Sequence, residues 1–176
     1  GDRVGRYEVI SEVAHGGMAS VYAGRQRSIG NFEKLVAIKV ILPHLRADAD
    51  AVNMLLDEAR ISAFIRHPNV VRVDDVGLDG ETPYIVMELL HGRDLAEVLA
   101  RAHECRAVIP RGVQLAILAQ VARGLDAAHE ASDSAGTPLE VVHRDVSPQN
   151  VHVGYDGSVK VVDFGVASAM GRLTET

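Results

Sequence analysis

The sequence predicts an α+β fold in two parts, an antiparallel five-stranded sheet with one helix up to about Leu90 and then a mainly helical part. Two observations carry this. Apolar residues recur at a spacing of two in the first part and at three to four after Gly92. Turn residues such as His15-Gly16-Gly17-Met18 and Leu78-Asp79-Gly80-Glu81 separate neighbouring strand candidates. A parallel sheet wound by alternating helices is the arrangement that would contradict this expectation.

The elements follow in order. Tyr7 to Val13 alternates, and Ser20 to Arg25 and Leu35 to Leu42 are rich in β-branched residues. Ala49 to Ile65 is helical, because Val52, Leu55 or Leu56, Ala59 and Ala63 fall at three-to-four spacing before His67-Pro68 stops the run. Val70 to Gly77 and Pro83 to Leu89 complete the five strands. Beyond Gly92, Asp94 to Ala102 is one helix. Val113, Ile117, Val121, Leu125 and Ala128 mark the buried stripe of another, which starts after Pro110. Ser132 to Pro138 is a polar surface loop. Tyr155-Asp156-Gly157-Ser158 turns a hairpin between Val151-Val153 and Val159-Val162.

Composition narrows the function. The 176 residues are 47% hydrophobic and carry a formal charge of -6, which suits a folded protein. No Lys/Arg-rich block suggests a nucleic-acid partner. Cys105 is the only cysteine, so disulfide and cysteine-metal frameworks are excluded and a reducing compartment fits. No apolar run approaches the roughly 18 residues of a spanning helix. The segment is therefore expected to be cytoplasmic without membrane contact, an anchor elsewhere in a longer parent chain being left open.

Three polar clusters carry chemistry. Lys39 follows Val36-Ala37-Ile38 in an apolar strand, where a lone lysine usually faces solvent but the apolar flanks make a fully solvated role less natural. Glu58 lies in Asp57-Glu58-Ala59-Arg60, a solvated helix face unless a cation needs holding, for which Lys39 is a candidate. The third cluster is His143-Arg144-Asp145, Asn150 and Asp163-Phe164-Gly165, within about twenty residues. Magnesium takes hard oxygen ligands and one or two carboxylates. A further carboxylate can accept the proton of an attacking hydroxyl.

With these residues in place, the chain resembles a protein kinase, of the bacterial serine/threonine type, from Tyr7 to Thr176. Val36-Ala37-Ile38-Lys39, Glu58 before His67-Pro68-Asn69, His143-Arg144-Asp145 with Asn150, and Asp163-Phe164-Gly165 stand in that family's order. The resemblance implies a kinase N-lobe over residues 1–90 and a hinge with a partial C-lobe over 91–176. It implies ATP and Mg2+ as cofactors, protein substrates, and phosphoryl transfer to serine or threonine hydroxyls. By the same resemblance Lys39 holds the α- and β-phosphates and Glu58 steadies it. Asp145 is the catalytic base, and Asn150 and Asp163 bind magnesium. Met87 is the gatekeeper, and Glu88 and Leu90 offer backbone groups to adenine. Val21 and Ala37 line the purine pocket, with His152 beneath the adenine. The loop with Ala14, Gly16 and Gly17 covers the phosphates.

Several positions depart from the family pattern. Ala14 and Ala19 stand where the phosphate loop has glycines, and alanine restricts positive φ. Ser147 replaces the lysine usual in serine/threonine kinases, in a loop that resembles a variant of some bacterial kinases. Ser62 is small where many kinases pack a large apolar residue, which is expected to loosen the helix that bears Glu58. Only eleven residues follow Gly165, so the segment is expected to be a fragment that by itself shows no autophosphorylation. Arg144 is expected to pair with an activation-segment phosphate, and Thr174 and Thr176 to be exposed. A pseudokinase-like binding module and a small-molecule phosphotransferase are the alternatives.

Overall fold

The computed structural model describes residues 2–27, 30 and 32–164. The chain divides into two compact units, Gly1–Ala63 with Arg72–Leu89, and Phe64–Val71 with Leu90–Thr176. The expectations for Gly165, Thr174 and Thr176 lie outside the described residues.

The first unit is an antiparallel sheet of β1 (Arg3–Val4), β2 (Tyr7–His15), β3 (Ala19–Arg27), β4 (Glu33–Ile41), β5 (Val73–Asp79) and β6 (Thr82–Glu88). Their order is β1-β2-β3-β4-β6-β5. The expected five strands are therefore six. The added β1 pairs Arg3 with Glu8 and Val4 with Tyr7, and two residues are too few to show a period. Its tight turn uses a left-handed Gly5, φ 53°. Strand β5 begins at Val73 rather than Val70, because Val70 and Val71 bond to Val161 in the second unit.

Ladder β3–β4 runs without a bulge, pairing Val21 with Lys39 and Ala23 with Ala37, and β4–β6 pairs Ala37 with Met87. Alternation therefore places Val21, Ala37, Lys39 and Met87 on one face of the sheet. Helix α1 (Ala49–Phe64) covers that face, burying Ala51, Leu55 and Ala59 against Ile41 and Ile85. Asp48 starts the helix by accepting from the backbone N–H groups of Asp50 and Ala51. The opposite face holds its own cluster of Tyr7, Val36, Ile38, Val40, Tyr84 and Val86. Tyr7 and Tyr84 meet edge to face, with centroids 6.1 Å apart. The Tyr84 phenol runs hard against both Gly5 and Gly77, where any Cβ would collide with it.

The second unit holds β7 (Gly92–Asp94), α2 (Leu95–Glu104), α3 (Arg111–His129), β8 (Val151–Gly154) and β9 (Val159–Val161). The three strands form one antiparallel sheet in the order β7-β8-β9. The Asp94 carboxylate caps α2, accepting from the Glu97 N–H at 2.7 Å. Helix α3 buries Ile117, Val121, Gly124 and Ala128, while Val113, the first member of the expected stripe, is exposed. Asn69 is the pin of this unit. Its amide donates to Gln120 Oε1 at 3.0 Å and to the Val159 carbonyl at 2.8 Å, joining α3 to β9. The loop after α3 is ordered by Asp133, whose carboxylate accepts from the N–H groups of Ala135 and Thr137. The β8–β9 turn forms as expected, with Gly157 at φ 84°. Among the described residues no helix is long and apolar enough to cross a membrane.

Candidate active site

In the first unit, Lys39 on β4 and Glu58 on α1 meet. Lys39 Nζ lies 2.8 Å from each carboxylate oxygen of Glu58, and the side chains are only 12% and 8% exposed. Lys39 leaves β4 on the face that α1 covers, where Glu58 meets it. Burial makes the pairing compulsory, because removing one partner strands a desolvated charge. Ser62, expected to loosen α1, is buried and the ion pair forms with it in place. Val21 is half-buried opposite Lys39, Ala37 is buried, and Met87 is half-buried beside Ala37. The Glu88 N–H donates to the Arg72 carbonyl at 3.0 Å, so that donor is committed within the sheet.

The loop expected to cover the phosphates is the β2–β3 connection. Gly16 N–H donates to the Ala19 carbonyl at 3.0 Å, and the Leu42 N–H donates to the Met18 carbonyl at 2.9 Å. No residue from Ala14 to Val21 has a left-handed φ. Alanine at positions 14 and 19 therefore meets no left-handed backbone in this loop and adds two methyl groups to it. A side-chain clamp holds the loop base. His15 Nδ1 lies 3.0 Å from Glu12 Oε1 and 2.9 Å from Ser20 Oγ. Hydrogen bonds from His15 and Ser20 hold the Glu12 carboxyl below its ordinary range. Both partners contact the same ring nitrogen, so the trio is not a nucleophilic relay, which needs one partner on each nitrogen.

In the second unit, the loop from His143 to Asn150 is built around a buried ring. His143 is 2% exposed, and Nε2 lies 3.1 Å from the Val162 carbonyl while Nδ1 lies 3.3 Å from the Asp145 N–H. One neutral tautomer, protonated at Nε2, serves both contacts. The ring stacks at a tilt on Phe164, with centroids 4.6 Å apart. His143 thus fixes the backbone of Asp145 and of the segment leading to Asp163. Asn150 Nδ2 donates to Asp145 Oδ2 at 2.9 Å and to the Asp145 carbonyl at 3.0 Å. The amide oxygen of Asn150 is left as a hard ligand. Asp163 is exposed beside buried Phe164, and both Arg144 and Asp163 are left-handed, φ 63° and 65°. Such a φ on a non-glycine residue is a local strain typical of functional loops.

His152 on β8 lies between Asp94 and Lys160 in register. Its Nε2 is buried without an acceptor or donor partner, and it packs so closely on Gly92 that a Cβ there would lie 2.8 Å away. Burial pushes its pKa down, opposed by the charges of Asp94 and Glu97 and aided by Arg93. The ring is therefore neutral near pH 7. Leu90 is half-buried at the start of this unit, and Ser147 opens the 3-10 turn Pro148–Asn150.

Among the described residues no three His, Cys, Asp or Glu side chains gather as a metal cage. Asn150 and Asp163 nevertheless supply an amide oxygen and a carboxylate. That donor set fits magnesium, which keeps waters and substrate phosphates as its other ligands. Two positions that sequence reasoning left without a role prove central to this unit, His143 and Asn69. Both are polar residues that the fold buries, and that burial becomes informative only when their partners are known.

The comparisons agree with this geometry. The protein kinase domain model matches residues 7–176. The tyrosine-protein kinase MasK of Myxococcus xanthus is 44% identical over 172 residues, 98% of this chain and 27% of the relative. The probable serine/threonine-protein kinase PknB of Lactococcus lactis is 37% identical over 173 residues, 97% of this chain and 25% of the relative. The chain thus spans about a quarter of the length of these curated relatives. A crystal structure of the Mycobacterium tuberculosis PknI kinase domain superposes with a TM-score of 0.73 at 31% identity, covering 96% of this chain and 63% of that one. With the ordered motifs, the six-stranded sheet bearing Lys39 and the loop built on His143, this places the chain in the protein kinase family, among its bacterial-type members.

Proposed function

We propose that this chain supplies ATP-dependent phosphoryl transfer to serine or threonine hydroxyls of protein substrates. The observation that carries the proposal is the two-pronged contact of Lys39 with Glu58. A buried ammonium held this way is a fixed cation for nucleotide phosphates. Lys39 holds the α- and β-phosphates, and Ala14, Gly16 and Gly17 belong to the loop that covers them. Val21, Ala37 and His152 line the purine, Met87 is the gatekeeper, and the carbonyl of Glu88 and the N–H of Leu90 meet adenine. Asp145 accepts the proton of the acceptor hydroxyl. Asn150 engages its Oδ2, which leaves Oδ1 for that proton. Asn150 and Asp163 would hold magnesium, which would screen the charge of the nucleotide phosphates.

The reaction consumes ATP, and with a single cysteine the chain suits a reducing interior, so we assign the segment to the cytoplasm. A pseudokinase-like module is disfavoured by the retention of Lys39, Asp145, Asn150 and Asp163 together. A tyrosine acceptor is the second reading, favoured by the 44% identity to a relative named as a tyrosine kinase. Labelled γ-phosphate and phosphoamino-acid analysis of the whole protein test these readings. Phosphoserine or phosphothreonine supports the first and phosphotyrosine the second. Nucleotide binding with no transfer to any hydroxyl sinks both.

A further inference from the structure

Arg3, Arg6, Arg25 and Arg27 of the first unit line, with Glu8, a cavity of about 260 Å³. None of these residues has a part in the phosphoryl-transfer site. Their charges do not cancel. Arg25 reaches Glu8 at 3.4 Å and Glu33 at 3.2 Å, Arg27 reaches the same two at 3.3 and 3.2 Å, and Arg6 pairs with Asp75 at 2.6 Å. Arg3 donates only to the Arg6 carbonyl, at 3.2 Å, and has no carboxylate partner among the described residues. Four guanidinium groups therefore face three carboxylates, Glu8, Glu33 and Asp75. One positive charge is left over, in a chain of formal charge -6.

The donors are also not all used. Arg25 Nε is buried and meets no acceptor, although both of its terminal nitrogens are engaged with carboxylates. A buried donor without a partner is costly, and each such group in a folded protein calls for a cause. That nitrogen is closed to water, so it adds buried charge beside the cavity and not a donor inside it. The cavity is smaller than the roughly 300–1,000 Å³ of pockets for drug-sized ligands. At roughly 30 Å³ per water it has room for a tetrahedral oxyanion with a few waters and none for a nucleotide. Planar guanidinium forks are the side chains that match phosphate geometry.

We infer that this cavity binds a phosphomonoester dianion, with Arg3 as its principal donor and the charge of Arg25 behind it. The same chemistry is supplied by a phosphorylated protein side chain or by free phosphate, and the two are separable. The whole chain is titrated calorimetrically at low salt with inorganic phosphate, with a short phosphoserine peptide, and with the unphosphorylated twin of that peptide. Saturable one-site binding of the phosphate-bearing probes is expected, weakened roughly tenfold by Arg25→Gln and by Arg3→Gln. Tighter binding of the phosphopeptide than of phosphate assigns a phosphorylated side chain as the source. Equal binding assigns free phosphate. Should Arg25→Gln fail to fold, Arg3→Gln decides, since that side chain is exposed and makes one bond to a carbonyl. Absence of saturable binding, or binding undiminished in Arg3→Gln, overturns the inference.

Discussion

The backbone of Gly124 on α3 passes the carbonyl of Asn69 so closely that a Cβ on the glycine would sit 2.5 Å from that oxygen. The obstacle is backbone, held in place by the bonds of the Asn69 side chain to Gln120 and Val159, so it cannot swing aside. Gly124→Ala gains about 1 kcal/mol of helix propensity and loses about 1–3 kcal/mol to overpacking. A net destabilisation of the second unit is expected, read as a lower denaturant midpoint. Gly112→Ala on the same helix meets nothing within 4 Å and is expected to raise the midpoint.

Asp145→Asn and Asp163→Asn should separate two roles. The first removes the proton acceptor while leaving nucleotide affinity nearly intact, and transfer is expected to fall by a factor of about 10²–10⁴. The second removes a magnesium ligand and should weaken magnesium-nucleotide binding itself. Nucleotide titration beside a transfer assay reads both. Equal loss of affinity in the two variants contradicts the division.

Acid should weaken the second unit through His152. Its folded pKa lies below the unfolded value of about 6.5, so the unfolded chain takes up the proton first. The stabilisation is complete above that value and is lost as pH falls toward the folded pKa. Unfolding free energy measured from pH 7 to pH 5 should fall less steeply in His152→Leu than in the parent chain. Identical slopes would show that the neighbouring Asp94 and Glu97 offset the burial.

The clamp at the loop base should show in nucleotide kinetics. His15→Ala releases Glu12 and Ser20 together, and the KM for ATP is expected to rise more than kcat falls. Restoring glycines at Ala14 and Ala19 is expected to leave thermal stability unchanged or lower, because no left-handed residue in that loop asks for them. A rise in melting temperature from those glycines is the contrary result.

How far the sequence could be read depends on the range of the interaction. The strands around Lys39 and the hairpin at Gly157 follow from local periodicity and turn chemistry, and both lie where expected. The Lys39–Glu58 contact spans nineteen residues and was legible only through the order of motifs. Asn69 donates to a carbonyl ninety residues away, a distance at which no periodicity carries information. The Glu12–His15–Ser20 clamp was hidden for another reason. Register shifts between Val9 and Ser11 and between Glu12 and Ala14 break the two-residue period that would have aligned them. The two-residue β1 was missed because it is set by the left-handed turn at Gly5, not by a pattern of its own.

The wedging of Tyr84 between two glycines constrains the order in which substitutions can accumulate. A side chain at position 77 is blocked by the phenol, and losing the hydroxyl alone does not clear the way, since the ring carbon Cζ would still lie 2.5 Å from the new Cβ. A smaller residue at 84 must come first, and only then does position 77 become open to change. Position 5 never does. Its backbone is left-handed whatever occupies position 84, so glycine there answers to the turn as well as to the ring. Related chains should accordingly vary at 77 only on a background already altered at 84, with the glycine of the β1 turn kept on both.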